Sequence, residues 1–155
     1  MEIEKKYLLR EEPEGGLSAW PVRYIEQGYI HKKPVIRIRR TQDERGERFV
    51  LTVKGGGLTV RQEYELPLSK EEYDALSGKV EGGIIRKNRY LVPLEDGLTA
   101  EVDVFLNPEF DGLTFAEVEF PSEEAMAAFA PPQWFGEDVS NDPSYQNNSL
   151  VLRLG

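Results

Sequence analysis

The sequence predicts a mainly β domain, a sandwich or a barrel of eight short strands with two short helices set among them. Clusters of Gly, Pro, Asn and Asp cut the chain into short runs, and within the runs side chains alternate with a period of two. In order, the runs are Met1–Leu9, Val22–Ile30, Pro34–Thr41, Glu47–Lys54, Leu58–Leu66, Ile84–Val92, Thr99–Leu106 and Thr114–Phe120. Gly15-Gly16, Lys32-Lys33-Pro34, Glu44-Arg45-Gly46, Gly55-Gly56-Gly57, Gly82-Gly83, Asp96-Gly97 and Asp111-Gly112 mark turns between them. Ser69 ahead of Lys70-Glu71-Glu72 has the form of a capping box, which starts a helix over Lys70–Leu76 that ends near Gly78. Ser122 opens a second helix toward Phe129, and Pro131-Pro132 stops it. The segment from Gln133 to Gly155 carries the turn Asn141-Asp142-Pro143 and is expected to pack over one end. No internal repeat, low-complexity tract or linker divides residues 1–155, which read as one domain.

Composition removes several function classes. The 28 acidic and 19 basic residues give a net charge of −9, which argues against coating DNA or an anionic membrane. With no Cys and only His31, there is no Cys/His zinc site, disulfide or Cys nucleophile, and a His-dependent triad would rest on one imidazole. His31 sits beside Lys32-Lys33 in a turn and reads as a surface residue. Met1–Lys6 lacks a signal-peptide pattern, and no apolar run approaches the roughly 20 residues of a membrane span. Lys5 and Glu26, on the other strand faces, argue against an outer-membrane barrel. A cytoplasmic protein is expected.

The informative pattern is on the alternate faces. Residues i, i+2 and i+4 of a strand point the same way. These faces hold Glu2, Glu4 and Lys6; Gln27 and Tyr29; Arg37 and Arg39; Thr52 and Lys54; Arg61, Glu63 and Glu65; Lys87 and Arg89; Glu101 and Asp103; Glu117 and Glu119. The opposite faces are mostly apolar, as at Ile36 and Ile38, or Val102 and Val104. One such strand is a solvated sheet face. Seven charged strands of eight select ionised groups of both signs where Ser, Thr or Asn would serve equally well in water. The set holds eight carboxylates and seven cations, close to balance. Gathered inside a barrel, these groups form a lattice dense enough to require pairing or a ligand. Carboxylate oxygens without His or Cys suit hard cations, Mg²⁺ or Mn²⁺. Alternating Arg and Lys suit phosphate oxygens, so together the two sets describe a polyphosphate site. Two divalent metals would offset the roughly four negative charges of a linear triphosphate.

These residues, in this order, resemble the CYTH superfamily of triphosphate tunnel metalloenzymes. Glu2-Ile3-Glu4-Lys5-Lys6 is similar to its amino-terminal E-x-E-x-K signature. Ile25–Tyr29, Arg37-Ile38-Arg39, Leu51–Lys54, Arg61–Glu65, Lys87–Tyr90, Glu101-Val102-Asp103 and Glu117–Phe120 follow in the family's order, and Asp142–Asn147 resembles its closing segment. The resemblance implies an eight-stranded antiparallel closed barrel, a tunnel with a charged interior that binds a triphosphate. It assigns metal binding to Glu2, Glu4, Glu117 and Glu119, with Glu63, Glu65 and Asp103 as further candidates. It assigns substrate phosphates to Lys6, Arg37, Arg39, Lys54, Arg61, Lys87 and Arg89. Glu101 is left as a metal-supporting group or a partner of a cation. The length matches compact bacterial members and favours a small substrate such as inorganic tripolyphosphate.

The expected chemistry is metal-assisted hydrolysis, with Glu117 and Glu119 holding metal and Glu63 orienting or deprotonating the attacking water. The alternatives are an adenylate cyclase or a thiamine triphosphatase of the same family, or a polyphosphate- or nucleotide-binding module. Both E-x-E pairs are intact, which favours catalysis over mere binding. Gly55-Gly56-Gly57 is no P-loop, because no Gly-Lys-Ser/Thr follows. Trp20 and Trp134 read as packing, and Tyr29 lies on the charged face. The partner implied is a small triphosphate-containing molecule; spacing does not set the oligomeric state.

Overall fold

Alternation of polar and apolar side chains gives the sheet its two faces, and the computed structural model shows how the strands close on themselves. It describes residues 2–55, 60–151 and 154. Met1, the expected turn at Gly56-Gly57, the start of the fifth strand at Leu58 and positions 152, 153 and 155 of the final segment lie outside the described residues. The strands are β1 (Glu2–Leu9), β2 (Val22–His31), β3 (Val35–Asp43), β4 (Gly46–Lys54), β5 (Val60–Arg61), β6 (Glu63–Leu68), β7 (Glu81–Pro93), β8 (Thr99–Phe105), β9 (Thr114–Glu119) and β10 (Phe135–Asp138). The helices are α1 (Lys70–Ser77), α2 (Glu123–Ala128) and α3 (Asn147–Leu150).

All ladders are antiparallel, in the order β1-β9-β8-β7-β2-β3-β4-β6. The ring closes where β5 pairs back onto β1, Glu2 opposite Arg61 and Ile3 opposite Val60. The expected fifth strand is therefore one ring position in two pieces. It divides at Gln62 because its first part belongs to β1 and its second to β4. Eight ring positions result, with every barrel edge paired over part of its length.

Two local expectations change. Gly82-Gly83 lies inside β7, which begins at Glu81. Gly82 has φ +71, and a Cβ there would stand 2.5 Å from the Val151 carbonyl oxygen, so glycine serves a close backbone crossing. The final segment also contains a strand. β10 extends the sheet beyond β1, pairing Tyr7 with Asp138 and Leu9 with Phe135. Four residues after Pro131-Pro132 are too few to display alternation. The capping box of α1 forms in both directions, Glu72 N–H to Ser69 Oγ (3.1 Å) and Ser69 N–H to Glu72 Oε1 (2.8 Å).

The apolar core is divided in two, because the middle of the barrel is ionic. One cluster lies outside the ring, where Tyr7, Val92, Val102, Ala116, Val118 and Phe120 are covered by Met126, Phe129 and Phe135 from α2 and β10. Elsewhere on the outer face α1 sets Tyr73 against Phe49, centroids 5.0 Å apart. The second cluster fills one end of the interior. Tyr29, Ile85, Phe105 and Phe115, on the charged faces of their strands, pack with Leu150 and Val151 from the final segment. Each such buried side chain contributes about 1.5–3 kcal/mol. The final segment thus stoppers the barrel and leaves the charged middle as a chamber. No helix among the described residues is long and apolar enough to cross a membrane.

Candidate active site

Above the apolar stopper the inward faces line a cavity of about 330 Å³, and its charges are sorted by strand. One half of the ring is β8, β9, β1 and the β5–β6 position; the other is β7, β2, β3 and β4. The first half presents seven carboxylates, Glu2, Glu4, Glu63, Glu65, Glu101, Glu117 and Glu119, with Lys6 and Arg61 among them. The second presents Arg23, Arg37, Arg39, Lys54 and Arg89, and no carboxylate among the described lining residues. An acidic wall faces a basic one.

The acidic wall shares its own two cations and Lys54, which reaches it from the end of β4. Lys54 Nζ lies 3.0 Å from Glu2 and 3.6 Å from Glu63. Arg61 Nη2 lies 3.2 Å from Glu4 and 3.5 Å from Glu2. Lys6 Nζ donates to the Tyr145 carbonyl at 3.0 Å and stands 3.6 Å from Glu117. These cations do not balance the cluster. Burial, then the charges of Glu117 and Glu2, push the Glu4 carboxyl up to about 8. Burial and a hydrogen bond with Glu63 raise Glu2; burial with Glu2 and Glu101 raises Glu119. Glu117 goes the other way: burial opposes its charge, but Lys6, Arg89, Lys87 and Lys54 outweigh it and hold the carboxyl well below its usual range. Among the described residues no three carboxylates converge as a formed metal cage, and Glu2, Glu4 and Glu117 are each turned toward a cation. The donor chemistry nevertheless fits a hard divalent cation. All donors are carboxylate oxygens, and a cluster that keeps a proton at neutral pH for want of positive charge can exchange it for a metal.

This has a consequence for stability. Because the folded chain raises Glu4, that group's contribution is fully present below its ordinary value of 4.5 and is lost as pH rises through about 8. Metal-free protein is expected to melt at a lower temperature at about pH 6.5 than at about pH 5.5, with added Mg²⁺ reducing the difference; above that window the Lys87 ammonium, pushed down by burial to about 7, works in the opposite sense. Calorimetry in EDTA checks this; a melting temperature that is flat or rises over that window contradicts it.

On the basic wall, Arg37 and Arg39 have no carboxylate within ion-pair distance among the described residues. Arg37 Nη2 donates to Thr52 Oγ1 at 3.2 Å, and its buried Nε–H is without a partner. Arg39 donates through Nε and Nη2 to Gln27 Oε1, at 2.8 and 2.6 Å. Burial, then Arg37 and Arg89, push the Arg39 guanidinium down to about 9. Such a wall is complementary to an anion with several oxygens.

Of the residues singled out from sequence, Glu2, Glu4, Lys6, Arg37, Arg39, Lys54, Arg61, Glu63, Glu65, Arg89, Glu101, Glu117 and Glu119 line this one cavity. Lys87 and Asp103 do not reach its wall. Both are 0 % exposed and bind each other at 2.6 Å, below the chamber floor toward Phe105. Sequence reasoning missed Arg23, which shares the inward face of β2 with Gln27 and Tyr29; Ile25 between them interrupts the polar alternation. It also missed Gln146 and Asn147, which line the cavity from the final segment and belong to no alternating run. Trp134 lies on the outer face, its ring 4.6 Å from Phe135.

Comparison with known proteins gives a consistent picture. The chain is 39 % identical over 153 residues to an inorganic triphosphatase of Nitrosomonas europaea, covering 99 % of this chain and 98 % of that protein. It is 40 % identical over 155 residues to an inorganic triphosphatase of Acetivibrio thermocellus, covering 97 % and 92 %. The crystal structure of the inorganic triphosphatase NE1496 superimposes with a TM-score of 0.69 at 35 % identity, over 98 % of this chain and 95 % of that one. HpAC1 of Hippeastrum, a putative adenylyl cyclase with a dominant triphosphatase activity, shares the fold at 16 % identity and a TM-score of 0.54, over 82 % of this chain and 83 % of that one. No family model matches the chain.

Proposed function

The chain belongs to the CYTH family of triphosphate tunnel enzymes, and on that premise we propose that it hydrolyses inorganic tripolyphosphate in the barrel chamber, using Mg²⁺ or Mn²⁺. The observation that carries the proposal is the segregation of charge among the described lining residues: seven carboxylates on one arc, five cations and no carboxylate on the other. Over the whole lining seven carboxylates meet seven cations. A balanced chamber favours a nearly neutral guest, and a metal–triphosphate complex is one, whereas a bare polyanion is repelled by the acidic wall.

Roles follow from position. Arg37, Arg39, Arg23 and Arg89 grip phosphate oxygens from the basic wall, with Lys54 as a point charge at its border. Lys6 and Arg61 reach the same guest from the acidic side. Glu2, Glu4, Glu117 and Glu119, with Glu65 at the rim, would hold a divalent cation, which would supply charge neutralisation and Lewis-acid polarisation of the triphosphate. Glu63, beside Lys54, orients the water that adds to the terminal phosphorus. The phosphoanhydride bond then breaks, giving orthophosphate and diphosphate. Fixed walls of opposite sign stabilise the developing charge without reorganising. Among the described lining residues Tyr29 is the one aromatic ring, so the chamber offers little to stack a nucleobase or a thiazolium. That supports an inorganic guest over ATP or thiamine triphosphate. The absence of Cys accords with a cytoplasmic setting.

The test is phosphate release by purified protein from tripolyphosphate, ATP and thiamine triphosphate, each with Mg²⁺, Mn²⁺ or EDTA. Metal-dependent release, fastest from tripolyphosphate, is expected. Binding without release from any of the three overturns the proposal.

A further inference from the structure

At the chamber floor, β7 and β8 join three charges, two sealed below it and one at its wall. Arg89 and Asp103 are direct partners across the ladder, and Lys87 stands one inward position further along β7. Lys87 and Asp103 are 0 % exposed and Arg89 is 7 % exposed. Arg89 grips the carboxylate as a fork, Nε to Oδ1 at 2.8 Å and Nη2 to Oδ2 at 2.9 Å, while Lys87 Nζ donates to Oδ2 at 2.6 Å.

We propose that Asp103 is a positioning residue: it fixes the plane of the Arg89 guanidinium so that its free edge meets the substrate phosphate, and it is not a metal ligand. The proposal rests on the triphosphatase reading above and deepens it. Both carboxylate oxygens are engaged by cations, and Asp103 does not line the cavity. What Arg89 has left is Nη1, which stands 3.6 Å from Glu101 on the chamber wall. A bidentate fork removes the torsional freedom that an arginine otherwise loses on binding phosphate. Lys87 is needed for the balance. With one carboxylate between two cations the trio carries at most a single positive charge, since burial pushes the Lys87 ammonium down to about 7, and only Arg89 presents it to the chamber. Without Asp103, two like charges adjoin in a dry site, and Arg89 is drawn toward Glu101, away from the guest.

The test measures steady-state hydrolysis of tripolyphosphate by wild type, Asp103→Asn, Arg89→Lys and the double variant, each titrated with Mg²⁺. An asparagine at 103 keeps the shape but offers one acceptor and a misplaced donor to the fork. Asp103→Asn is expected to lower kcat by about 30-fold with half-saturating Mg²⁺ within about twofold of wild type. In the Arg89→Lys background, which has no fork to orient, the same change should cost less than about threefold. Should Asp103→Asn fail to fold, Asp103→Asn with Lys87→Met leaves no buried ammonium without a counter-charge, and is read against Lys87→Met alone. A rise of about tenfold or more in half-saturating Mg²⁺, an unchanged kcat, or full additivity with Arg89→Lys overturns the positioning role. Failure of the wild type to hydrolyse tripolyphosphate is a different result, and counts against the activity itself.

Discussion

Glu4→Gln is expected to lower metal-dependent phosphate release by at least about 100-fold while leaving the metal-free protein no less stable. The two halves of this result have one cause. Glu4 lies on the acidic wall with Glu2 and Glu117, and burial together with those neighbours lifts its carboxyl to about 8. In the empty chamber at neutral pH it is therefore a group whose ionisation opposes folding. A neutral amide of the same size removes that repulsion. Arg61 loses its partner at 3.2 Å but keeps Glu2 at 3.5 Å, so no cation is stranded. When a metal is present the same oxygen is one of few donors that can hold it, and losing a ligand forfeits several kcal/mol of transition-state stabilisation. Activity and stability thus oppose each other at this position. Turnover at saturating Mg²⁺ and calorimetry in EDTA check the pair. Turnover within about threefold of wild type would remove Glu4 from the metal site.

Much of this was legible because a strand has a period of two. The charged face of β1 or β9 is written in Glu2, Glu4 and Lys6 or in Glu117 and Glu119, and in each case the face lines the chamber. Alternation gives a face, however, and not a depth. Lys87 and Arg89 share a face, yet one is sealed beneath the floor and the other stands at the wall. Their difference depends on the stopper, which is assembled from Phe105, Phe115, Leu150 and Val151, residues distant in sequence. The same holds for Gly82, a turn signal locally, whose reason for being glycine is a carbonyl of residue 151. The division of one ring position at Gln62 likewise follows from which neighbours close the barrel. Local patterns specify elements; long-range packing decides which end is closed and which charges meet solvent.

Arg39→Ala, by contrast with alanine at the very next position, is expected to lower kcat/KM for tripolyphosphate by about 100-fold or more. Arg39 faces inward with no carboxylate within ion-pair distance among the described residues, its guanidinium resting on Gln27 and pushed down to about 9 by burial and by Arg37 and Arg89. A cation held at such a cost in the empty protein is released from that cost by an anionic guest, so its attraction is saved for the substrate. Alanine removes the attraction and the internal repulsion together, and the melting temperature should stay level or rise. Arg40 points to the other side of the same strand, where Glu26 at 3.3 Å and Glu47 already neutralise it. Its removal should cost at most about 1 kcal/mol of stability and leave kcat/KM unchanged. Kinetics and thermal melts of the two single variants therefore test the inward register of β3 directly. Equal effects on catalysis from both positions would mean that the basic wall is not what holds the triphosphate.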